Sequence, residues 1–186
     1  TAHQCLWLRP ELARGVLAFL AATQATEADP ATDAEPGKVL HEERRGVAAV
    51  RWHERYYGTV DATPLFVMLA GAYLDRSGDE AFARSMWPAV DRALHWLERW
   101  GDRDGDGLVE YGRRTHGGLA NQGWKDSHDA VFHEDGGDAV GPIALCEVQG
   151  YAYAARLEGA KLAGLMGLDD RAAELTRDAR ALSERF

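Results

Sequence analysis

Along most of this chain apolar residues return every three or four positions, a period that commits it to helices. In "RPELARGVLAFLAATQ", Pro10 suits a first helical turn, and Leu12, Val16, Phe19 and Leu20 form a stripe. In "DATPLFVMLAGAYLDRSGD", Asp61 stands at an N-cap and Pro64 in the first turn. Leu65, Leu69 and Tyr73 follow at four-residue steps, and Gly78 closes the run. "DEAFARSMWPAVDRALHWLERWG" carries Phe82, Met86, Val90, Leu94 and Leu97 on one face, and Pro88 predicts a kink or a later start. "ALCEVQGYAYAARLEGAKLAGLMG" and "DDRAAELTRDARALSERF" supply two more helices. Strand patterning is confined to "GLVEYGRR", a short strand or hairpin at most.

The turns "RSGD" and "GLDD" join helices in pairs, while two polar segments, about 25–60 and about 101–142, return between pairs. The expected fold is therefore all-α, an array of αα-hairpins with short turns on one side and long loops on the other. All 186 residues fit one domain, and 46% hydrophobic with 27% charged residues is ordinary for a globular chain. Twenty-one basic against thirty acidic residues give a net charge of −9, which argues against nucleic acid or an anionic membrane as partner. Cys5 and Cys146 make no disulfide framework and no zinc motif, so they read as free thiols in a reducing, cytoplasmic setting. No apolar run is long enough to cross a bilayer, and the first residues lack the pattern of a signal peptide.

"GLANQGWKDSHDAVFHEDG" is the densest constellation, with Gln122, Trp124, Lys125 and Asp126 side by side. An indole stacks on the C–H face of a sugar ring. A carboxyl group beside an apolar surface keeps its proton more readily, as a general acid must. The alternative is a helix N-cap at Asp126 with Trp124 in the core. Tyr56, Tyr57 and Asp61 supply either a second wall of a polar pocket or a turn and a cap. Glu147 lies among Cys146, Val148 and Ala152 with Tyr151 one turn on; it faces a polar cavity or enters an ion pair. Asp102, Asp104, Asp106 and Glu110 have the spacing of a non-EF calcium loop, or of a plain Asp-Gly turn, because Arg113 stands where an EF-hand needs an acid. His128 and His133, with Asp129 beside them, suggest a metal, but their separation fits no zinc signature and a further ligand is wanting. Dinucleotide, Walker and nucleophile-elbow motifs are missing, so no cofactor is expected beyond the calcium candidate.

Taken in order, "YYGTVDATPLFV", "RDGDGLVEYGRR", "GLANQGWKDSHDAV" and "GPIALCEVQGYAYAA" resemble the bacterial amylo-α-1,6-glucosidase-like, or glycogen debranching enzyme-like, family. The resemblance covers nearly the whole chain. That family is similar to the (α/α)6-barrel glycosidases, which include glucoamylase-like enzymes and mannosylglycerate hydrolases. The resemblance implies a hydrolase of α-glucosidic, α-1,6 bonds in glycogen or oligosaccharides, acting with inversion. It makes Asp126 the general acid and Asp61, Trp124, Lys125 and Glu147 pocket residues, with Tyr57 and Gln122 beside them. Such barrels need twelve helices, whereas about five long ones are legible here. The chain is thus expected to be an internal portion of a six-hairpin barrel, its catalytic base supplied by a later segment. Apolar faces left uncovered in a partial barrel favour self-association. A different class of function, a helical carbohydrate-binding or interaction module without chemistry, would use Trp124, Tyr56 and Tyr57 as stacking platforms.

Overall fold

Each long helix begins and ends where its flanking residues allow. The computed structural model describes residues 1–114 and 117–186. Helices α1 (Ala2–Cys5) and α2 (Pro10–Ala22) open the chain. A small insertion follows, made of β1 (Glu42–Glu43), α3 (Val47–Trp52) and β2 (Arg55–Tyr56). Then come α4 (Ala62–Ser77), α5 (Glu80–Arg99), α6 (Cys146–Leu165) and α7 (Asp169–Arg185). The described residues are therefore mostly helical, as the period demands, and no helix among them is long and apolar enough to cross a membrane.

The Asp79 carboxylate caps α5 by accepting from Phe82 N at 3.0 Å. That cap fixes the start at Glu80, so Pro88 lies inside the helix and does not delay it. Asp61 holds the N-cap position of α4, yet its side chain makes no capping bond; the Thr59 hydroxyl donates to it instead. Gly78, in the left-handed region at φ 66°, turns the chain from α4 into α5. Gly167, at φ 76°, does the same between α6 and α7. The only ladder among the described residues pairs Glu42 with Tyr56 and Glu43 with Arg55. It is not in "GLVEYGRR", where Tyr111 makes one isolated bridge to the distant Ile143.

Packing sets the direction of the helices. Lys161 of α6 reaches Gly71 O of α4 at 3.4 Å and Asp75 at 2.7 Å, and Arg84 of α5 donates to Leu165 O at 2.6 Å. Helices α4 and α6 thus lie side by side and parallel, with their N-termini at the end that receives the long loops. Gly159 permits the close approach of α6 to α5, since a Cβ there would stand 2.7 Å from Leu94 Cδ1. Phe66, Val67, Val90, Leu94, Leu97, Val148, Ala155, Leu162 and Leu175 fill the core between these helices. The stripe expected on α2 is displaced by about one position. Ala13 and Leu17 are buried, Val16 and Leu20 are half-buried, and Leu12 and Phe19 face solvent. Both sides of α2 are apolar, and small Ala13 lets the helix approach α4 more closely than the Leu12 side would.

The first polar segment is not a solvated loop. Glu35 is 1% exposed, and Asp33 and Lys38 are buried with it. The Trp96 indole N–H donates to Glu35 Oε2 at 2.6 Å. Arg114 lies 2.5 Å, Arg103 3.5 Å and Lys38 3.8 Å from the same carboxylate. Gly37, at φ 90°, lets the segment touch α5, where a Cβ would fall 2.2 Å from Arg92 O. Gln24 seals the contact by donating to Gly37 O at 2.8 Å and Ala89 O at 3.0 Å. Replacing Glu35 by Ala leaves the buried Lys38 without its nearest carboxylate and the buried Trp96 indole N–H without its acceptor, while Arg103 and Arg114 keep access to water. The expected cost is about 3–5 kcal/mol, read as a lower midpoint in urea unfolding.

Candidate functional site

The loops converge on the end of the bundle where α4 and α6 begin. Segment 119–126 crosses both helix starts and is fastened at each step. Leu119 N donates to the Tyr56 hydroxyl at 2.9 Å. That hydroxyl donates to Asp33 Oδ2 at 2.7 Å, and Gln122 Nε2 donates to the same oxygen at 3.2 Å. Gln122 O accepts from Val60 N at 2.8 Å, which ties the segment to the residue before Asp61. Asn121 accepts from the Tyr111 hydroxyl at 2.8 Å and donates to Ser127 O at 2.6 Å, closing the turn. Gly123 lies flat against Leu145, where any Cβ would meet Leu145 Cδ1 at 2.3 Å. Leu145 is the residue before α6, so the segment touches both helix starts within two residues.

Beyond this buried strut the chain emerges. Trp124 is 68% exposed, and Lys125 Nζ lies 5.3 Å over its ring. Asp126 is exposed as well. Asp61 and Glu147 are half-buried, one at the head of α4 and the other in the first turn of α6. Asp61, Trp124–Asp126 and Glu147 therefore share one end of the bundle, with the segment running between the two helix starts. Burial pushes the Tyr111 phenol above its ordinary value, and the charge of Glu147 adds to the push. Glu147 is therefore within electrostatic reach of that ring. Its carboxylate accepts from the thiol of Cys146 at 3.6 Å.

Two expected wall residues do other work. Gln122 is 2% exposed and spends its amide on Asp33. Tyr57 turns its hydroxyl to Thr23 O at 2.7 Å and is buried against the first loop. In the calcium candidate, oxygens of Asp102, Asp104 and Asp106 lie within 4.8 Å of one another. Backbone N–H groups already occupy them: Gly105 and Gly107 donate to Asp102, Asp106 to Asp104, and Leu108 to Asp106. Glu110 is not in this trio; it accepts from Arg103 N at 2.8 Å and Asp104 N at 3.1 Å. These bonds shape an Asp-Gly turn and use only part of each carboxylate's acceptor capacity, so Asp102, Asp104 and Asp106 keep the arrangement of a cation group. His128, Asp129 and His133 belong to no group of clustered metal donors among the described residues.

Sequence reasoning passed over Asp33, Glu35, Lys38, Asn121 and Tyr111. "ATDAEPGK" has the composition of a solvated turn, and only tertiary contact with α5 and the second loop buries it. The Pro-Gly pair next to a Lys was the one local hint of a chain pressed against something. The chain matches no protein-family model and no curated protein sequence.

Burial pushes Lys38 down to about 8, against the pull of Glu35 and Asp33. Between about 8 and the ordinary 10.5, the unfolded chain holds a proton that the folded chain has released. Stability therefore rises with pH across that interval. Tyr56, Tyr57 and Tyr111, raised chiefly by burial, reverse the trend once unfolded tyrosines ionise near 10.0. The urea midpoint is expected to climb from about pH 8 to about pH 10 and then fall, and Lys38→Met should abolish the climb.

Proposed function

We propose that this chain is the acid-bearing part of an (α/α)6-barrel glycoside hydrolase, resembling the amylo-α-1,6-glucosidase-like enzymes. One observation carries the reading. The Trp124–Lys125–Asp126 loop rests on the starts of two parallel helices that carry Asp61 and Glu147. Parallel neighbours with all long loops at one end are what the inner helices of such a barrel require. In this reading Trp124 offers an aromatic plate to the sugar, and Asp61 and Glu147 accept hydroxyls. Asp126 protonates the glycosidic oxygen. The base comes from outside this chain and stands about 6.5–9.5 Å from Asp126, which leaves room for the attacking water of an inverting reaction. The substrate is an α-glucan or oligosaccharide. Unpaired Cys5 and Cys146 fit a reducing compartment.

Apolar side chains in contact with solvent support a larger assembly around these helices. Trp7, Leu8, Leu12 and Phe19 are exposed on and before α2, and Tyr153 and Leu157 on α6. The exposure of Trp124 also suits a second reading, a binding module in which the indole is a platform and Asp126 has no chemical part.

Hydrolysis of an aryl α-glucoside by the protein that carries this chain separates the two readings. Asp126→Asn is expected to lower kcat by about 10²–10⁴-fold with KM nearly unchanged. An unaltered kcat removes Asp126 from the acid's role.

A further inference from the structure

A second cleft opens beside the Trp124 loop, on the far side of Tyr56. Its volume is about 320 Å³, at the small end of the range for ligand sites. Arg51, Trp52, His53, Tyr56, Gly117 and Leu119 are among the residues that line it. Arg51, Trp52 and His53 take no part in the site described above.

Its construction points to a ligand. Trp52 ends α3 and is 56% exposed, a costly position for an indole with no task. His53 follows at φ 77° and ψ 149°, a region nearly reserved for glycine. This strained step turns the chain sharply from α3 into β2. Arg44 fixes the step by donating to Trp52 O at 2.7 Å, and its guanidinium lies 5.3 Å from the centre of the Tyr56 ring. The Arg51 guanidinium lies 5.3 Å over Trp52 and makes no ion pair among the described residues. The cleft thus offers an exposed indole with Arg51 over one face, an imidazole and a guanidinium without an ion pair among the described residues.

Charge decides between ligand classes. Glu42 neutralises Arg44 through two bonds, at 2.9 and 2.7 Å. One free cation is poor provision for a phosphate but suits a ring with an apolar face and hydroxyl edges. The Tyr56 hydroxyl forms part of the wall shared with the Trp124 loop. It accepts from Leu119 N and meets, through Asp33, the Gln122 amide. Leu119, which lines the cleft, lies five residues before Trp124, so one short segment joins the cleft to the Trp124 loop.

We infer that the cleft lined by Trp52, Arg51 and His53 is a second sugar subsite, which holds a flanking hexose of an α-glucan chain bound at the Trp124 loop. The inference rests on the glycosidase reading. Isothermal titration of the protein with maltose, maltotriose and maltotetraose tests it. The wild type should bind more tightly as the chain lengthens. Trp52→Ala should bind maltose as the wild type does and maltotetraose about tenfold more weakly, the effect of one lost aromatic contact. Trp124→Ala should weaken all three sugars. The indole of Trp52 is half in solvent, so its removal leaves the core intact. Arg51→Gln, which touches no core residue, should reproduce part of the same length-dependent loss. A Trp52→Ala profile equal to the wild type at every length overturns the subsite and leaves the glycosidase reading standing. A wild type that binds none of the sugars overturns both.

Discussion

Two buried carboxylates, Asp33 and Glu35, hold the loop end of this molecule together. Each gathers groups from separate parts of the chain. Glu35 draws in Trp96 from α5, Lys38 from its own segment, and Arg103 and Arg114 from the second long loop. Asp33 collects the Tyr56 hydroxyl and the Gln122 amide. A carboxylate taken out of water is costly unless cations and donors surround it. Here that requirement becomes a fastening. The first loop meets its buried carboxylates only in part, through Lys38 and Tyr56, so the second loop lies where Arg103, Arg114 and Gln122 supply the rest. The Trp124 loop reaches the starts of α4 and α6 because residues just before it are held in this way.

The helical frame was legible because it is written locally. A stripe at four-residue steps, a capping Asp79 and a left-handed Gly78 act over a few residues, and they give α4, α5 and their turn without help from elsewhere. The reading slipped where two faces of one helix are equally apolar. On α2 the choice between the Leu12 and Ala13 sides depends on what packs against them. The loops failed differently. Nothing local in "ATDAEPGK" says that its charges are buried, since their partners lie dozens of residues away in Trp96, Arg103 and Arg114.

Residue type and family resemblance suggested one pocket for Trp124, Asp126, Asp61 and Glu147. The strut that carries the Trp124 segment across the starts of α4 and α6 was not visible in the sequence. Gln122 was assigned to a ligand because it stands beside Trp124, yet its amide is the strut that aims the loop. Tyr57 faces the first loop for a similar reason, its hydroxyl taking up an otherwise unpaired carbonyl at Thr23. A polar residue next to a functional loop is as often the support as the tool, and only burial tells them apart.

Exposure of Trp124 and Asp126 bears on how such a site would act. A carboxylic acid that must donate a proton needs an apolar cover, and this loop offers solvent on its open side. In the glycosidase reading the sugar itself is part of the cover. A ring stacked on Trp124 excludes water from one side of Asp126 and displaces Lys125 from the indole face. The ammonium then swings on its flexible stem toward the ring's hydroxyls. In the same reading the remaining cover is protein packed against the exposed apolar side chains of α2 and α6, because an acid walled on one side alone stays hydrated. Desolvation of Asp126 and burial of Leu12, Phe19, Tyr153 and Leu157 are then linked, since the same covering layer accomplishes both.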